Sequence, residues 1–163
     1  MNQIEIREAK AEDAALILRF IKHLASYEKS EDQVTATVGS IRETIFSSDS
    51  TAHAVICTIN KVPVGFAVYF YNYSTWLGKN GLYLEDLYVL PEYQKNGAGK
   101  AILKYLAQIA VSRGCGRLEL SVLDWNEPAI KFYKSIGAIP QNEWIMYRLS
   151  GQELEAFAQG KII

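Results

Sequence analysis

The run Leu82-Tyr83-Leu84-Glu85-Asp86-Leu87-Tyr88-Val89-Leu90-Pro91-Glu92-Tyr93-Gln94-Lys95-Asn96-Gly97-Ala98-Gly99-Lys100-Ala101-Ile102-Leu103-Lys104 decides how the chain is read. It joins an apolar strand bearing two carboxylates to a glycine-containing turn that opens a helix. Such a turn presents backbone N–H groups without intrahelical partners at the positive end of the helix dipole, which suits a phosphate or pyrophosphate. Glu85 and Asp86 lie a few residues upstream, in a strand that otherwise reads as core. Burying charge there is costly without a partner or a task, so chemistry is expected at this junction.

Working toward the N-terminus, the aromatic and polar segment from Tyr71 to Gly81 reads as a loop. Before it lie two strands, Ala52 to Ile59 and Val64 to Tyr71, joined by Asn60-Lys61-Val62-Pro63 as an antiparallel hairpin. Ile4 and Ile6 alternate with Glu5 and Arg7, as in a half-buried strand. Ile17, Phe20, Ile21 and Leu24 recur at helical spacing, and a second helix covers about Val38 to Phe46.

Toward the C-terminus, Ile102, Leu106 and Ile109 put an apolar stripe on a helix that ends near Arg113-Gly114. Leu118, Leu120 and Val122 alternate in the next strand. A strand-helix-strand order makes it parallel to the strand before the glycine turn. Asn126 is a good N-cap, with Pro128 tolerated in the first turn, for a helix carrying Ala129, Tyr133 and Ile136 and stopping at Gly137. A last strand from about Trp144 to Leu149 and a short helix from Gln152 complete the reading. The fold class is α/β, a mixed sheet with helices on both faces in one domain over residues 1–163.

Composition excludes several classes. With 163 residues, 49% of them hydrophobic, the chain can bury one sizeable core. The 17 basic and 18 acidic residues leave a formal charge of -1, which gives no electrostatic footprint for nucleic acid or an anionic membrane. No apolar run reaches transmembrane length and the polar N-terminus lacks a signal-peptide core, so a cytoplasmic location is expected. Cys57 and Cys115 lack metal-like spacing and read as reduced structural thiols. His23 and His53 have no neighbouring ligand set, and no metal is expected.

The glycine turn fits neither common nucleotide motif. A Walker A loop would need glycine where Gln94 stands and Ser or Thr where Ala101 stands. A dinucleotide fingerprint would need glycine or alanine at position 102, which is Ile, and a place in a first βα unit.

Gln94-Lys95-Asn96-Gly97-Ala98-Gly99 resembles the Q/R-x-x-G-x-G/A acetyl-CoA signature of the GCN5-related N-acetyltransferases. Tyr27-Glu28-Lys29, Tyr73-Ser74-Thr75-Trp76, Tyr83-Leu84-Glu85-Asp86, Pro91-Glu92-Tyr93 and Leu123-Asp124-Trp125-Asn126 extend the resemblance to the diamine acetyltransferase branch, over roughly residues 4 to 149. The Ser-Thr-Trp loop and Val122 to Asn126 look closer to its thialysine acetyltransferases than to its polyamine enzymes.

The resemblance implies a mostly antiparallel sheet of about six to seven strands, splayed between the fourth and fifth, with acetyl-CoA in the gap. Leu87, Tyr88 and Val89 would contact pantetheine through their backbone. Lys95, Asn96, Gly97, Ala98, Gly99 and Lys100 would receive the pyrophosphate, and Asn126, Glu127, Pro128 and Ala129 match further coenzyme contacts. Glu85 would take the amine's proton, through a water, and Tyr133 would be the general acid for the leaving sulfur. Tyr27, Glu28, Trp76, Glu85, Asp86 and Trp144 would line an acceptor pocket, since acids and aromatic faces suit a cationic amine. Ser74 departs from the polyamine enzymes, which carry an acid there. The expected activity is transfer of acetyl to the primary amine of a small thialysine-like or lysine-like molecule, by direct attack in a ternary complex. A diamine or polyamine acceptor, a protein lysine, and a coenzyme-binding module without activity are the rival readings. A homodimer is a further implication.

Overall fold

A computed structural model describes residues 2–161. Internal contacts divide the chain between Leu123 and Asp124, and each unit is described by itself.

The first unit contains β1 (Ile4–Glu8), α1 (Ala14–Tyr27), α2 (Val38–Ile45), β2 (Ala52–Ile59), β3 (Val62–Ser74), β4 (Lys79–Val89), α3 (Ala98–Ser112) and β5 (Leu118–Leu120). The strands pair in chain order, β1-β2-β3-β4-β5, antiparallel except for the parallel β4–β5 ladder. Five strands form among the described residues, which corrects the expectation of six to seven.

Local chemistry explains most boundaries. Asn60 and Lys61 both adopt positive φ, 50° and 68°, the backbone of a two-residue type I′ hairpin turn, so β3 starts at once at Val62. Thr37 caps α2 by accepting from the Ser40 N–H at 3.0 Å, while the Ser40 hydroxyl accepts from the Thr37 N–H at 2.9 Å. The expected loop from Tyr71 to Gly81 is mostly ladder, because β3 continues to Ser74 and β4 begins at Lys79. The Ser74 hydroxyl accepts from the Leu77 N–H at 3.2 Å and the Ser74 carbonyl from the Gly78 N–H at 2.9 Å, closing that turn.

The period-2 alternation sorts the sheet into two faces. One carries Ala54, Ile56, Phe66, Val68 and Tyr88 against Ala14, Ile17 and Phe20 of α1 and Ile41 of α2. Phe20 stacks on Phe66 with ring centroids 5.5 Å apart. The other face carries Val55, Cys57, Ala67, Leu82 and Leu84, with Ile102, Leu103, Leu106 and Ala110 the buried side of α3. Burial of each such large side chain contributes about 1.5–3 kcal/mol.

The second unit contains α4 (Glu127–Ser135) and α5 (Gly151–Ala158). The Asn126 side chain accepts from the Ala129 N–H at 3.4 Å, the cap its sequence announces. The expected strand from Trp144 to Leu149 does not form, and Ile145 and Tyr147 are 77% and 91% exposed. A strand needs a neighbouring strand for its N–H and C=O groups, and among the described residues no sheet ladder includes this segment. None of residues 124–161 is buried.

Candidate active site

Three features of the first unit converge on β4. The first is a bulge. Tyr69 of β3 faces Leu84 and its neighbour Val68 faces Asp86, so Glu85 is an extra residue without a cross-strand partner. Leu84 and Leu87 therefore share the α3 face although three residues apart, while Asp86 joins Tyr83 and Tyr88 on the α1 side. The bulge separates the two carboxylates by environment. Glu85 is exposed, whereas Asp86 is half-buried and pushed up to about 6, by burial first and then by the charges of Glu85 and Glu28. Glu28 caps the end of α1, and burial raises its pKa too. Glu28, Glu85 and Asp86 thus form one anionic group. Tyr27, the last residue of α1, is 46% exposed beside it in sequence.

The second feature is an open edge. β5 pairs with β4 only through Leu82, Tyr83 and Leu84, and among the described residues no strand lies beside β4 on that side from Glu85 to Val89. The Leu90 N–H donates to the Val64 carbonyl of β3 at 2.8 Å. Alternation then turns the amide groups of Leu87 and Val89 to the open side and those of Tyr88 back to β3. Gly65 corroborates this, since a Cβ built there would lie 2.6 Å from the Tyr88 carbonyl oxygen. Tyr88 was expected to offer its backbone at the open edge. Its amide groups instead belong to the β3 ladder, and its side chain lies in the core.

The third feature is the turn into α3. Gly97 is the N-cap at φ 86°, a left-handed conformation that glycine adopts without strain, and no side chain caps the helix. The first helical bond runs from the Ala101 N–H to the Gly97 carbonyl at 2.9 Å. The amides of Ala98, Gly99 and Lys100 thus precede the helical ladder, as an anion site requires. Around Gly99 nothing beyond its chain neighbours and the helix's own backbone lies within 4 Å of a built Cβ, so space exists on that side of the turn. Lys95 itself sits at φ 68°. The Gln94 side-chain amide donates to the Val89 carbonyl at 3.0 Å, tying the turn to the end of β4.

Trp76 stands elsewhere. It is 79% exposed in the turn between β3 and β4, and Asp86 lies seven residues along β4 from Lys79, about 23 Å at the usual rise. One copy therefore does not bring Trp76 to the acid group. Ser74 closes the same distant turn.

In the second unit, Asn126 caps α4, Glu127 and Pro128 occupy its first turn, and the Ala129 amide donates to Asn126. Tyr133 is half-buried on α4 beside Phe132, ring centroids 5.2 Å apart, and burial pushes its phenol up to about 12. It holds its proton at neutral pH. Trp144 is 65% exposed.

Among the described residues no group of three or more His, Cys, Asp or Glu could hold a metal ion. His23 meets the edge of Tyr88, and His53 stacks on Tyr69 at 5.2 Å, where burial lowers its pKa. Cys57 and Cys115 are free thiols, and among the described residues no helix is long and apolar enough to cross a membrane.

The pattern of the acetyltransferase (GNAT) family matches residues 18–138. The chain belongs to that family. This acetyltransferase is 40% identical, over an alignment of 169 positions, to the thialysine N-epsilon-acetyltransferase of Bos taurus, covering 97% of its own length and 99% of the relative's. It is 36% identical over 164 residues to a human spermidine/spermine N(1)-acetyltransferase-like protein, covering 94% of its own chain but 24% of that longer one. Among solved structures, an integron cassette protein from the mobile metagenome of V. cholerae superposes with a TM-score of 0.80 at 28% identity, covering 96% of this chain and 98% of the other.

Two features of this candidate site escape sequence reasoning. The clasp of Gln94 on Val89 is one, although Gln94 heads the signature; nothing local shows which carbonyl it meets. The bulge at Glu85 is the other, and only the doubled polar residue in an apolar strand hints at it.

Proposed function

We propose that this protein transfers the acetyl group of acetyl-CoA to the terminal primary amine of a small thialysine-like or lysine-like molecule. The observation that carries the reading is the end of the β4–β5 ladder at Leu84, where the bulged carboxylates Glu85 and Asp86 meet an open strand edge. The first unit fits the coenzyme on its own terms. The amide groups of Leu87 and the Val89 N–H suit the pantetheine arm, and the amides of Ala98, Gly99 and Lys100, with the Lys95 and Lys100 charges, suit the pyrophosphate. Asn126 to Ala129 are proposed as further contacts. The coenzyme supplies an activated thioester. Because the family match spans both units, we take residues 1–163 as one catalytic domain.

An amine acceptor is an ammonium ion near neutral pH, so the site must hold a cation and then release its proton. Asp86 and Glu28 hold the cation at the foot of α1. Glu85, exposed on the bulge, receives the proton through water and returns it to solvent. The Leu87 or Val89 N–H on the open edge can stabilise charge developing on the thioester oxygen. Tyr133, protonated throughout the working range, donates to the departing sulfur. Direct attack in a ternary complex needs no covalent enzyme intermediate. Tyr27 and Trp144 are proposed to flank the acceptor, and Trp76 reaches it only if a second subunit brings it there. A homodimer and a cytoplasmic location complete the proposal.

The three carboxylates also favour a diamine or polyamine, which offers them two or more positive charges. An amine panel with acetyl-CoA, read by release of free thiol, separates the readings. Thialysine and lysine should be preferred to putrescine, spermidine and a histone-like peptide. Preference for spermidine would replace the acceptor assignment, and coenzyme binding without turnover on any amine would remove the catalytic one.

A further inference from the structure

The joint between β4 and β5 ends in a contact that no step of the proposed transfer uses. Backbone bonds join the two segments from the Gly116 N–H on the Asn80 carbonyl, at 2.9 Å, through the Leu82 N–H on the Arg117 carbonyl, also at 2.9 Å, to the last ladder pair, Leu84 with Leu120. Continued in register, the ladder would next set Ser121 beside Glu85. Ser121 is held further back instead. Its hydroxyl and that of Tyr83 lie 2.6 Å apart, a hydrogen bond in which either can donate. Tyr83 pairs with Glu119, so its phenol leans about 6.6 Å along β5, two residues at the usual rise, to reach Ser121. The ring is steered from the other side by Phe70, its partner on β3, whose ring centroid is 5.1 Å away.

We propose that Tyr83 and Ser121 are positioning residues for the coenzyme: their hydrogen bond holds the outgoing end of β5 at Leu120, so that the β4 edge from Glu85 onward stays open to the pantetheine arm. The inference rests on the acetyl-CoA reading above and names the groups that keep its edge free. Parallel neighbours zip for as long as backbone groups meet in register, and any rung added after Leu84 would draw on the edge where Leu87 and the Val89 N–H are offered. A side-chain bond directed back to Tyr83 opposes that advance without using a backbone group of β4. The bulge acts in the same direction, since Glu85 has already broken the register of β4. The amides of Ala98, Gly99 and Lys100 belong to the start of α3, which is tied to β4 through Gln94, so the Tyr83–Ser121 bond bears on the pantetheine arm and not on the pyrophosphate.

Tyr83→Phe and Ser121→Ala each remove one hydroxyl and keep the ring of position 83 on Phe70. In calorimetry each should weaken CoA binding roughly three- to fivefold, the lower range for a hydrogen bond open to water. The double variant should lose no more than either single one, because the two hydroxyls act through one bond. Ser121→Thr, which keeps a hydroxyl, should bind as the unsubstituted protein does. Binding of 3′-phospho-ADP, which carries the pyrophosphate but no pantetheine, should be the same in all of them, and it also reports that each variant is folded. Unchanged CoA affinity in both single variants, an equal loss for 3′-phospho-ADP, additive losses in the double variant, or a Ser121→Thr variant no better than Ser121→Ala would each overturn the proposal. An unsubstituted protein that binds neither ligand would remove the acetyl-CoA reading and this inference together. CoA binding that is alike in every variant would remove this inference alone.

Discussion

Replacing Asp86 with Asn should stabilise this acetyltransferase while impairing it, and the gain should depend on pH. The native carboxyl is raised from 3.8 to about 6 by burial and by the charges of Glu85 and Glu28. The native state therefore holds this proton more tightly than the unfolded chain does. As pH rises through 3.8 the unfolded carboxyl ionises first and native stability falls, and the loss is complete above about 6. The shift is about two units at roughly 1.4 kcal/mol each, so the ionised Asp86 costs the native state about 3 kcal/mol near pH 7.5. Near pH 4.5 the same relation leaves about 1 kcal/mol.

Asparagine keeps the shape of the neutral acid and removes the cost. Urea unfolding of Asp86→Asn and unsubstituted protein should thus differ by about 2–3 kcal/mol in favour of the variant near pH 7.5, and by about 1 kcal/mol near pH 4.5. Comparing the two proteins at each pH cancels the other titrating groups. Thiol release with the preferred amine should meanwhile drop, because a cationic acceptor loses its most buried carboxylate. A gain of equal size at both pH values would refute the claim that ionisation of Asp86 strains the fold. A loss of stability near pH 7.5 would refute it more directly, by showing the carboxylate to be satisfied within the protein.

Two further substitutions test other parts of the site. Tyr133→Phe should lower kcat by about 10²-fold or more with acetyl-CoA affinity retained, the range for a general acid, and unchanged turnover would remove Tyr133 from the mechanism. Gly65→Ala should cost about 1–3 kcal/mol in chemical unfolding, because its Cβ would come within 2.6 Å of the Tyr88 backbone oxygen; an alanine variant as stable as the original would show that β4 yields there.

The elements that sequence reads well are those governed by neighbours in the chain. β2 runs from Ala52 to Ile59 as its apolar run indicates, and α4 starts behind Asn126 because a side-chain oxygen three residues from an unpaired N–H makes a cap. The glycine turn is equally local, since positive φ at Gly97 is a property of one residue. Tyr71 to Gly81 misleads because its aromatic and polar residues lack a clear period, and the ladder that makes strand of them is supplied by facing residues such as Leu82 and Lys79. Trp144 to Leu149 misleads in the opposite sense. Its composition suits a strand, but no ladder among the described residues includes it, and a strand is made by pairing rather than by composition.

The amino-acid order alone determined the strand-turn-helix unit at residues 82–104, its uncapped helix start and the proximity of two carboxylates to it, because these follow from residue type and spacing. Tertiary structure decided what those groups can do. Pairing with β3 places the bulge at Glu85 and so divides an exposed carboxylate from a half-buried one, and the early end of β5 frees the amide groups of Leu87 and the N–H of Val89. The physical reason is that strand edges and dielectric surroundings depend on residues distant in sequence, although one group on that edge, the Val89 carbonyl, is taken by nearby Gln94, which leaves only the Val89 N–H open. Composition can supply an acid, but only its neighbours in space set its proton affinity.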